Sequence, residues 1–396
     1  MRLLLTLIVT LMLAFTAKGD YWLQKANVGG LNRADATGFS LNGKGYMGTG
    51  YSGTYQSDWW EYDPASDTWT QKASYPGGGI VEAASFTIGS FGYVVSSPTS
   101  NDVYRYDPVA NTWTAVAPFP GGTRQAAVAF SINNKGYVCT GMGFGLSYND
   151  LWEYDATSNA WTQKSNMPTM GRHYACGFSV GNKAYIGTGI MPGAGLMSDF
   201  WEWDAITDTW TAKTNVPGFA RVEASAFSLG GFGYLGMGSG FGSYYADFYQ
   251  YNPTTDTWIV KASYGAGPTE EATQFSIGGA GYVGTGYDGV QAGVVKNDFW
   301  AYVSENNPSG LDENHLTVTC AAYPNPCTEQ LEIEMKGGDG LLKNISITDL
   351  NGNMILIAET CDANYRFDVS RLAAGTYLVH IKFSDSLERN LLITKK

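Results

Sequence analysis

The stretch "YDPASDTWTQK", Tyr62 to Lys72, decides the fold because close copies of it return along the chain. Each copy places Asp or Asn beside a turn and then a short strand that carries a tryptophan, since Asp, Asn and Pro favour turns and aromatic residues favour strands. The other copies read "YDPVANTWTAV" from Tyr106, "YDATSNAWTQK" from Tyr154, "WDAITDTWTAK" from Trp203 and "YNPTTDTWIVK" from Tyr251. The chain is therefore a series of repeated strand-and-turn units.

Two landmarks share one period through the repeat. Gly-Tyr dipeptides and their equivalents, from Tyr46 to Tyr282, are spaced by 47, 44, 48, 49 and 48 residues, and the tryptophans from Trp22 to Trp258 show the same spacings. Each unit holds four strand-like runs, such as "TGFSL", "GYMGTG", "DWWEYD" and "DTWTQK". Four strands in a unit of this length predict a blade of a β-propeller.

The composition agrees with an all-β protein. The 396 residues include 50 Gly, 26 Tyr and 12 Trp, and 15% are charged. Short aromatic strands joined by glycine-rich turns explain these numbers. The net charge of -12 repels phosphate and argues against nucleic acid as a partner.

The two ends of the repeat predict how the ring closes. Residues 20–25, "DYWLQK", look like a fourth strand without a blade, whereas the last unit stops at "NDFWAYV" without a fourth strand. We expect the first segment to complete the last of six blades. The predicted propeller spans residues 20–305.

Residues 1–19 are typical of a secretory signal peptide, because an early arginine precedes an apolar run too short to span a bilayer. No other stretch is apolar enough for a transmembrane segment once this peptide is removed. The absence of C-x-x-C spacing among the five cysteines argues against zinc or dithiol chemistry and leaves their pairing open.

The repeat resembles the kelch family through "GKGYMGTG", "SDWWEYD" and "DTWTQK". Some members of that family are copper radical oxidases, which need two histidine ligands, but this propeller contains one histidine, His173. We therefore expect no cofactor or metal. Other kelch propellers are sialic acid epimerases, so the resemblance leaves open a sugar epimerase or lyase working at the mouth of the channel.

One face of a propeller collects the loops between strands 2 and 3 together with the crossings from blade to blade. Glycine-rich aromatic loops such as "MGFGLSYN" and "SGFGSYYA" lie there and are suited to binding. Six residues before the first-strand Phe of four blades stand arginines, replaced by Ile80 and Thr269 in the other two. The arginines are Arg33, Arg124, Arg172 and Arg221.

Two residues after these positions stand mainly acidic residues, with Ala126 in one blade. They are Asp35, Glu82, Tyr174, Glu223 and Glu271. Because alternate residues of an extended segment point the same way, we expect the arginines and carboxylates to meet at the channel mouth. Either these arginines pair with the carboxylates and neighbouring carbonyls to tie blade to blade, or the set binds a ligand's carboxylate or sugar hydroxyls.

An aspartate opens the third strand of every blade, from Asp58 to Asp298. Its regularity favours a backbone hydrogen bond at a turn over catalysis. We therefore assign no catalytic residue.

After a polar linker, residues 306–315, the period ends. Residues 316–396 alternate apolar and polar residues in runs such as "LEIEM" and "TYLVHI", which predicts a small Ig-like β-sandwich of about seven strands. This tail resembles the C-terminal sorting domain of the type IX secretion system of Bacteroidetes. The matching residues are Tyr323, Pro324, Asn325, Pro326, Asp349, Gly352, Gly375, Tyr377, Lys395 and Lys396.

The resemblance implies export through the periplasm and outer membrane by the type IX machinery, to the cell surface or the medium. The sequence therefore predicts a secreted or surface propeller that binds an extracellular glycan or protein. The alternative is the carbohydrate-active enzyme named above.

Overall fold

The computed structural model describes residues 20–95, 97–291, 293–304, 319–336, 343–349, 354–360, 362, 364–383 and 388–396. The predicted signal peptide and linker lie outside the described residues, as does Gly352 of the sorting motif. The chain divides into two compact units, Met1–Leu311 and Asp312–Lys396.

The described part of the first unit contains six four-stranded antiparallel sheets, which we call blades 1 to 6, and no helix. Blade 1 consists of Thr37–Leu41, Lys44–Gly48, Trp59–Asp63 and Thr68–Lys72; blade 2 of Ala84–Ile88, Phe91–Val95, Val103–Asp107 and Thr112–Val116; blade 3 of Val128–Ile132, Lys135–Cys139, Leu151–Asp155 and Ala160–Lys164. Blade 4 consists of Cys176–Val180, Lys183–Gly187, Phe200–Asp204 and Thr209–Lys213; blade 5 of Ser225–Leu229, Phe232–Gly236, Phe248–Asn252 and Thr257–Lys261; blade 6 of Thr273–Ile277, Ala280–Gly284, Phe299–Val303 and Tyr21–Lys25.

Short two-residue strands pair in the loops of blades 3 to 6. They are Met142–Gly143 with Leu146–Ser147, Ile190–Met191 with Gly195–Leu196, Ser239–Gly240 with Ser243–Tyr244, and Thr269–Glu270 with Tyr287–Asp288.

The N-terminal strand closes the ring, as the sequence predicts. Tyr21–Lys25 pairs antiparallel with Phe299–Val303, and the indole of Trp22 donates to the carbonyl of Ala262 at 3.0 Å. The first strands of the blades neighbour one another in a closed circle in which blade 6 lies next to blade 1. One sheet edge that would otherwise be exposed is thereby paired.

The repeated "YDPASDTWTQK" motif joins each blade to the one before it. Asp67 accepts hydrogen bonds from the Tyr62 hydroxyl at 2.8 Å and from the amide of Ala26 at 3.0 Å, while Trp69 donates to the carbonyl of Ala26. The Trp69 side chain is partly exposed. It therefore stabilises the ring by a hydrogen bond as well as by packing.

The apolar core lies between neighbouring blades, and it explains the Gly-Tyr dipeptide. A Cβ added at Gly92 would lie 2.0 Å from the Phe39 ring of blade 1, and one at Gly233 would lie 1.8 Å from Phe178. Glycine is required because the first-strand Phe of one blade fills the space above the second strand of the next.

The second unit contains, in its described residues, seven strands in two sheets, which matches the predicted sandwich. One sheet consists of Thr319–Tyr323, Gln330–Lys336 and Asn364–Asp368; the other of Met354–Thr360, Lys343–Thr348, Gly375–Phe383 and Glu388–Lys395. Among the described residues, no helix is long and apolar enough to cross a membrane.

Candidate ligand site at the channel mouth

A ring of six residues, one from each crossing between blades, surrounds the mouth of the channel. All six have left-handed backbone torsions, with φ from 53° to 57°. Backbone hydrogen bonds join five of the six neighbouring pairs, such as Glu82 N to Asp35 O at 3.0 Å. We call this set the mouth ring. It consists of Asp35, Glu82, Ala126, Tyr174, Glu223 and Glu271.

These torsions separate the arginines from the carboxylates. A positive φ is uncommon for residues other than glycine, and it breaks the alternation of an extended segment on which the predicted meeting depends. That prediction of the contact was wrong. The members of the mouth ring lie together, and the arginines turn into the blades.

Each arginine forms a forked ion pair within its own blade. Arg33 is fully buried and donates to both carboxylate oxygens of Asp58 at 2.6 Å, and also to the carbonyl of Thr49 at 2.9 Å. The same geometry repeats three times, in Arg124 with Asp150, Arg172 with Asp199 and Arg221 with Asp247. These guanidinium groups are engaged in the protein interior, and they tie the strands of a single blade rather than neighbouring blades.

The aspartates that open the third strands therefore bind side chains, not mainly the backbone turn that we expected. Asp199 accepts from Arg172 and also from the indole of Trp201 at 2.8 Å. The arginine and the indole lower the pKa of Asp199, although its burial opposes them. Paired in this way, the carboxylate stays ionised.

Blades 2 and 6 lack the arginine, and the aspartate that opens the third strand has a different environment in each. In blade 2 the buried Ile80 stands in its place and Asp102 is exposed. In blade 6, Lys296 donates to the Thr269 hydroxyl at 3.0 Å, and burial raises the pKa of the neighbouring Asp298.

Carboxylates crowd the mouth on the side formed by blades 1, 2, 5 and 6. Burial, followed by the charges of neighbouring carboxylates, raises the pKa of Glu271 to about 11 and that of Glu223 to about 9. Burial also raises the pKa of Glu82 to about 7 and that of Asp35 to about 6. Like charges in a poorly hydrated site favour the protonated form, so Glu223 and Glu271 favour that form at neutral pH.

Sequence reasoning missed one member of this cluster, Glu270, because blade 6 alone carries two consecutive glutamates here. Among the described residues, Glu223, Glu270 and Glu271 form the one group able to hold a metal ion, with an oxygen of each within 4.8 Å of the others. The Tyr174 hydroxyl donates to Glu82 at 3.3 Å from across the mouth. In the mouth ring, two carboxylate oxygens, Oε2 of Glu82 and Oε2 of Glu271, are buried without a hydrogen-bond partner among the described residues.

A narrow channel of about 440 Å³ begins beside the mouth ring and is lined by the first strands. Small residues and hydroxyls face it, and the hydroxyls bind neighbouring blades: Ser131 donates to the carbonyl of Thr87 at 2.7 Å, and Ser276 to that of Ser228 at 2.8 Å. The channel wall is thus largely committed to holding the ring together.

Three comparisons with known proteins bear on this architecture. Residues 89–120 match the family model of the Kelch motif, and residues 321–395 match that of the Secretion system C-terminal sorting domain. A solved structure titled "Structure of YjhT" is similar with a TM-score of 0.62 and 18% identity, covering 69% of this chain and 95% of that chain. None of the curated proteins matches.

The chain carries a kelch-type propeller and a type IX sorting tail. The sorting domain marks a protein that the type IX secretion system exports to the cell surface or the extracellular space. The similarity to the solved propeller shows the fold alone.

In the sorting tail, the "YPNPC" segment lies against the C-terminal residues 394–396. In the "YPNPC" segment, the side chain of Asn325 accepts from the amide of Thr394, and the amide of Cys327 donates to the carbonyl of Thr394 at 2.8 Å. The amide of Lys396 donates back to the carbonyl of Cys327. Cys327 is fully buried in the core of the sandwich.

Proposed function

We propose that the propeller is a binding module for an extracellular protein or glycan, with the ligand seated over the mouth ring on the loop-bearing face. One observation carries the proposal. Six equivalent positions share one backbone conformation and yet carry Asp, Glu, Ala, Tyr, Glu and Glu. The repeated glycines, tryptophans and Arg–Asp pairs are used in packing, hydrogen bonds and ion pairs, so the side chains that depart from the repeat are the ones available for recognition.

The tail serves, in this proposal, as an address and takes no part in binding. The compact units divide near residue 311, and the ring is closed by its own N-terminal strand. Mature protein cut after Pro308 should keep the ligand affinity of the whole chain, whereas the same truncation in the native host should retain the propeller in the periplasm.

Binding is tested by applying the mature protein to a glycan array and to a library of displayed peptides. A double variant, Glu223→Gln with Glu271→Gln, removes the ionisable groups while keeping size and fold. We expect a ligand that binds the wild type and not this variant. Equal binding by both proteins would move the site elsewhere, and no ligand in either screen would argue against a binding module.

A second candidate is an epimerase or lyase acting on a sugar. The observation in its favour is that Glu82, with its pKa raised to about 7, lies beside the Tyr174 hydroxyl and is poised to exchange a proton near neutral pH. The ion pairs of Arg33, Arg124, Arg172 and Arg221 weaken this candidate, because none of these four arginines is left to hold an acidic sugar. Any sugar found on the array should be tested for turnover, and Glu82→Gln should abolish that turnover if this candidate is correct.

A further inference from the structure

Exposed apolar side chains gather on the loop-bearing face. Among the described residues of the propeller, four others lie elsewhere: Val109 and Ile206 in turns of the opposite face, and Ile259 and Val260 in the last strand of blade 5. The members of the gathered group, which we call the rim, are Leu31, Tyr55, Phe144, Leu146, Met170, Phe219, Phe241, Val290 and Val294.

Two rim residues occupy positions that folding alone disfavours. Phe144 and Phe241 each stand first in a two-residue hairpin turn and have φ values of 50° and 52°, followed by Gly145 and Gly242 at 78°. Such a turn favours Asn or Asp at its first position, because a bulky side chain is strained at positive φ. Phe144 is nevertheless 87% exposed and Phe241 77% exposed.

These phenylalanines serve neither the turn nor the core. A residue that breaks a local rule without a structural return marks a functional position. Phenylalanine stands at the first turn position in both blade 3 and blade 5, whereas the hairpin of blade 4 has a longer turn with Pro192 and Gly193.

The rim stands next to the acidic mouth. The hairpins of blades 3 and 5 begin at residues bridged to the crossing segments, Met142 to Gln125 and Ser239 to Val222. Those partners directly precede Ala126 and Glu223 of the mouth ring. In blade 5, Tyr244 at the base of the hairpin also lies against Glu270. Apolar side chains thus lie beside the carboxylate cluster.

We propose that the partner is a protein that inserts a lysine or arginine side chain into the mouth and packs flanking apolar residues on the rim. This inference rests on the proposed function. The carboxylates select a cation by charge complementarity, and the long aliphatic stem of a basic side chain suits an approach past apolar residues. A neutral glycan offers neither property.

Binding of a cation also explains how crowded carboxylates would be stabilised. An opposite charge favours the ionised form, so entry of an ammonium or guanidinium group should drive protons from the mouth. Peptide binding should therefore release protons, and calorimetry in buffers of different ionisation enthalpy measures this release.

The test selects short linear peptides from a random displayed library on the mature full-length protein at neutral pH. We expect enriched peptides with one fixed Lys or Arg between apolar residues. Replacing that Lys by norleucine should weaken binding at least about ten-fold, as should Glu223→Gln with Glu271→Gln in the protein.

A rim variant separates recognition from folding. Phe144→Asn with Phe241→Asn installs the residue that the turns favour, so the melting temperature should stay or rise while peptide affinity falls about ten-fold or more. The matched control, Val109→Ser with Ile206→Ser on the opposite face, should leave affinity unchanged.

Several results would overturn the inference. The inference is wrong if the enriched peptides lack a basic residue, or if the Gln or Asn variants keep the affinity of the wild type. It is also wrong if a metal chelator abolishes binding, because a metal ion would then occupy the mouth. A glycan lost in the Gln variant, with no peptide bound, would refute a protein partner and leave the proposed function standing. If neither the glycan array nor the peptide library yields a ligand, both this inference and the proposed function are wrong.

Discussion

The interfaces between blades and the mouth of the channel use the same repeat in opposite ways. At the interfaces, equivalent positions carry equivalent residues, as in Gly92 beneath Phe39 and Gly233 beneath Phe178. At the mouth, one backbone conformation carries different side chains, from Ala126 to Glu271. The comparison separates residues that hold the ring from residues that vary between blades, and we propose that the varying residues recognise the ligand.

Opening the ring should have the largest effect. Deleting residues 20–25 removes the strand paired with Phe299–Val303 and the Trp22 ring that packs on Phe248 and Tyr264, which should cost on the order of 5 kcal/mol or more. The freed edge should also promote self-association. Thermal unfolding and size-exclusion chromatography measure both, with Gln24→Ala, an exposed position of the same strand, as control. A truncated protein that stays monomeric and melts with the wild type would refute the closure.

Removing one of the forked arginine–aspartate ion pairs should have the next largest effect on stability. Arg172→Ala leaves Asp199 partly buried without its cation and should lower the free energy of unfolding by about 3 kcal/mol. Denaturant unfolding gives the value. Removing both partners, as Arg172→Ala with Asp199→Ala, should cost less than the sum of the two single changes, and strict additivity would show that the pair is not coupled.

A larger side chain beneath a first-strand Phe tests the packing between neighbouring blades. Gly92→Val would force the ring of Phe39 to move and should destabilise by about 1 to 3 kcal/mol. Blade 4 has Ala184 at the equivalent position, buried against the core that contains Phe130. Ala184→Gly should cost no more than about 1 kcal/mol, and an equal loss from both changes would contradict the steric explanation.

The carboxylates of the mouth should make the stability of the protein depend on pH. A carboxyl whose pKa is raised by folding contributes stability that is fully present below its unfolded pKa and is lost as pH rises through its folded pKa. For Asp35 and Glu82 those folded values are about 6 and about 7, and for Glu223 about 9. The melting temperature should fall from about pH 5 to about pH 9. The Glu223→Gln, Glu271→Gln variant should show a shallower fall, and parallel curves would show that the mouth carboxylates do not titrate in this way.

The repeat made the fold predictable because its landmarks are packing residues. The Trp and Gly-Tyr spacings gave the blades, and the unmatched segments at Trp22 and Phe299 gave the closure. The site was harder. Aligning the blades identified its residues. The left-handed torsion at Glu82 and Glu223 could not be predicted, because neither residue is the glycine that usually marks a positive φ. The arginines were therefore predicted to pair with the wrong carboxylates. The type I′ turns at Phe144 and Phe241 were hidden for a similar reason, since Phe-Gly is not a hairpin signal.

The most direct test measures stability and affinity together for two variants, Arg172→Ala and the pair Glu223→Gln with Glu271→Gln, using a peptide selected on the wild type. We predict that Arg172→Ala melts at a lower temperature and, while folded, binds with unchanged affinity. The glutamine pair should melt at the wild-type temperature or above and lose the peptide. The reverse pattern, with binding lost in the arginine variant and kept in the glutamine pair, would contradict the division between a structural ring and a recognising mouth.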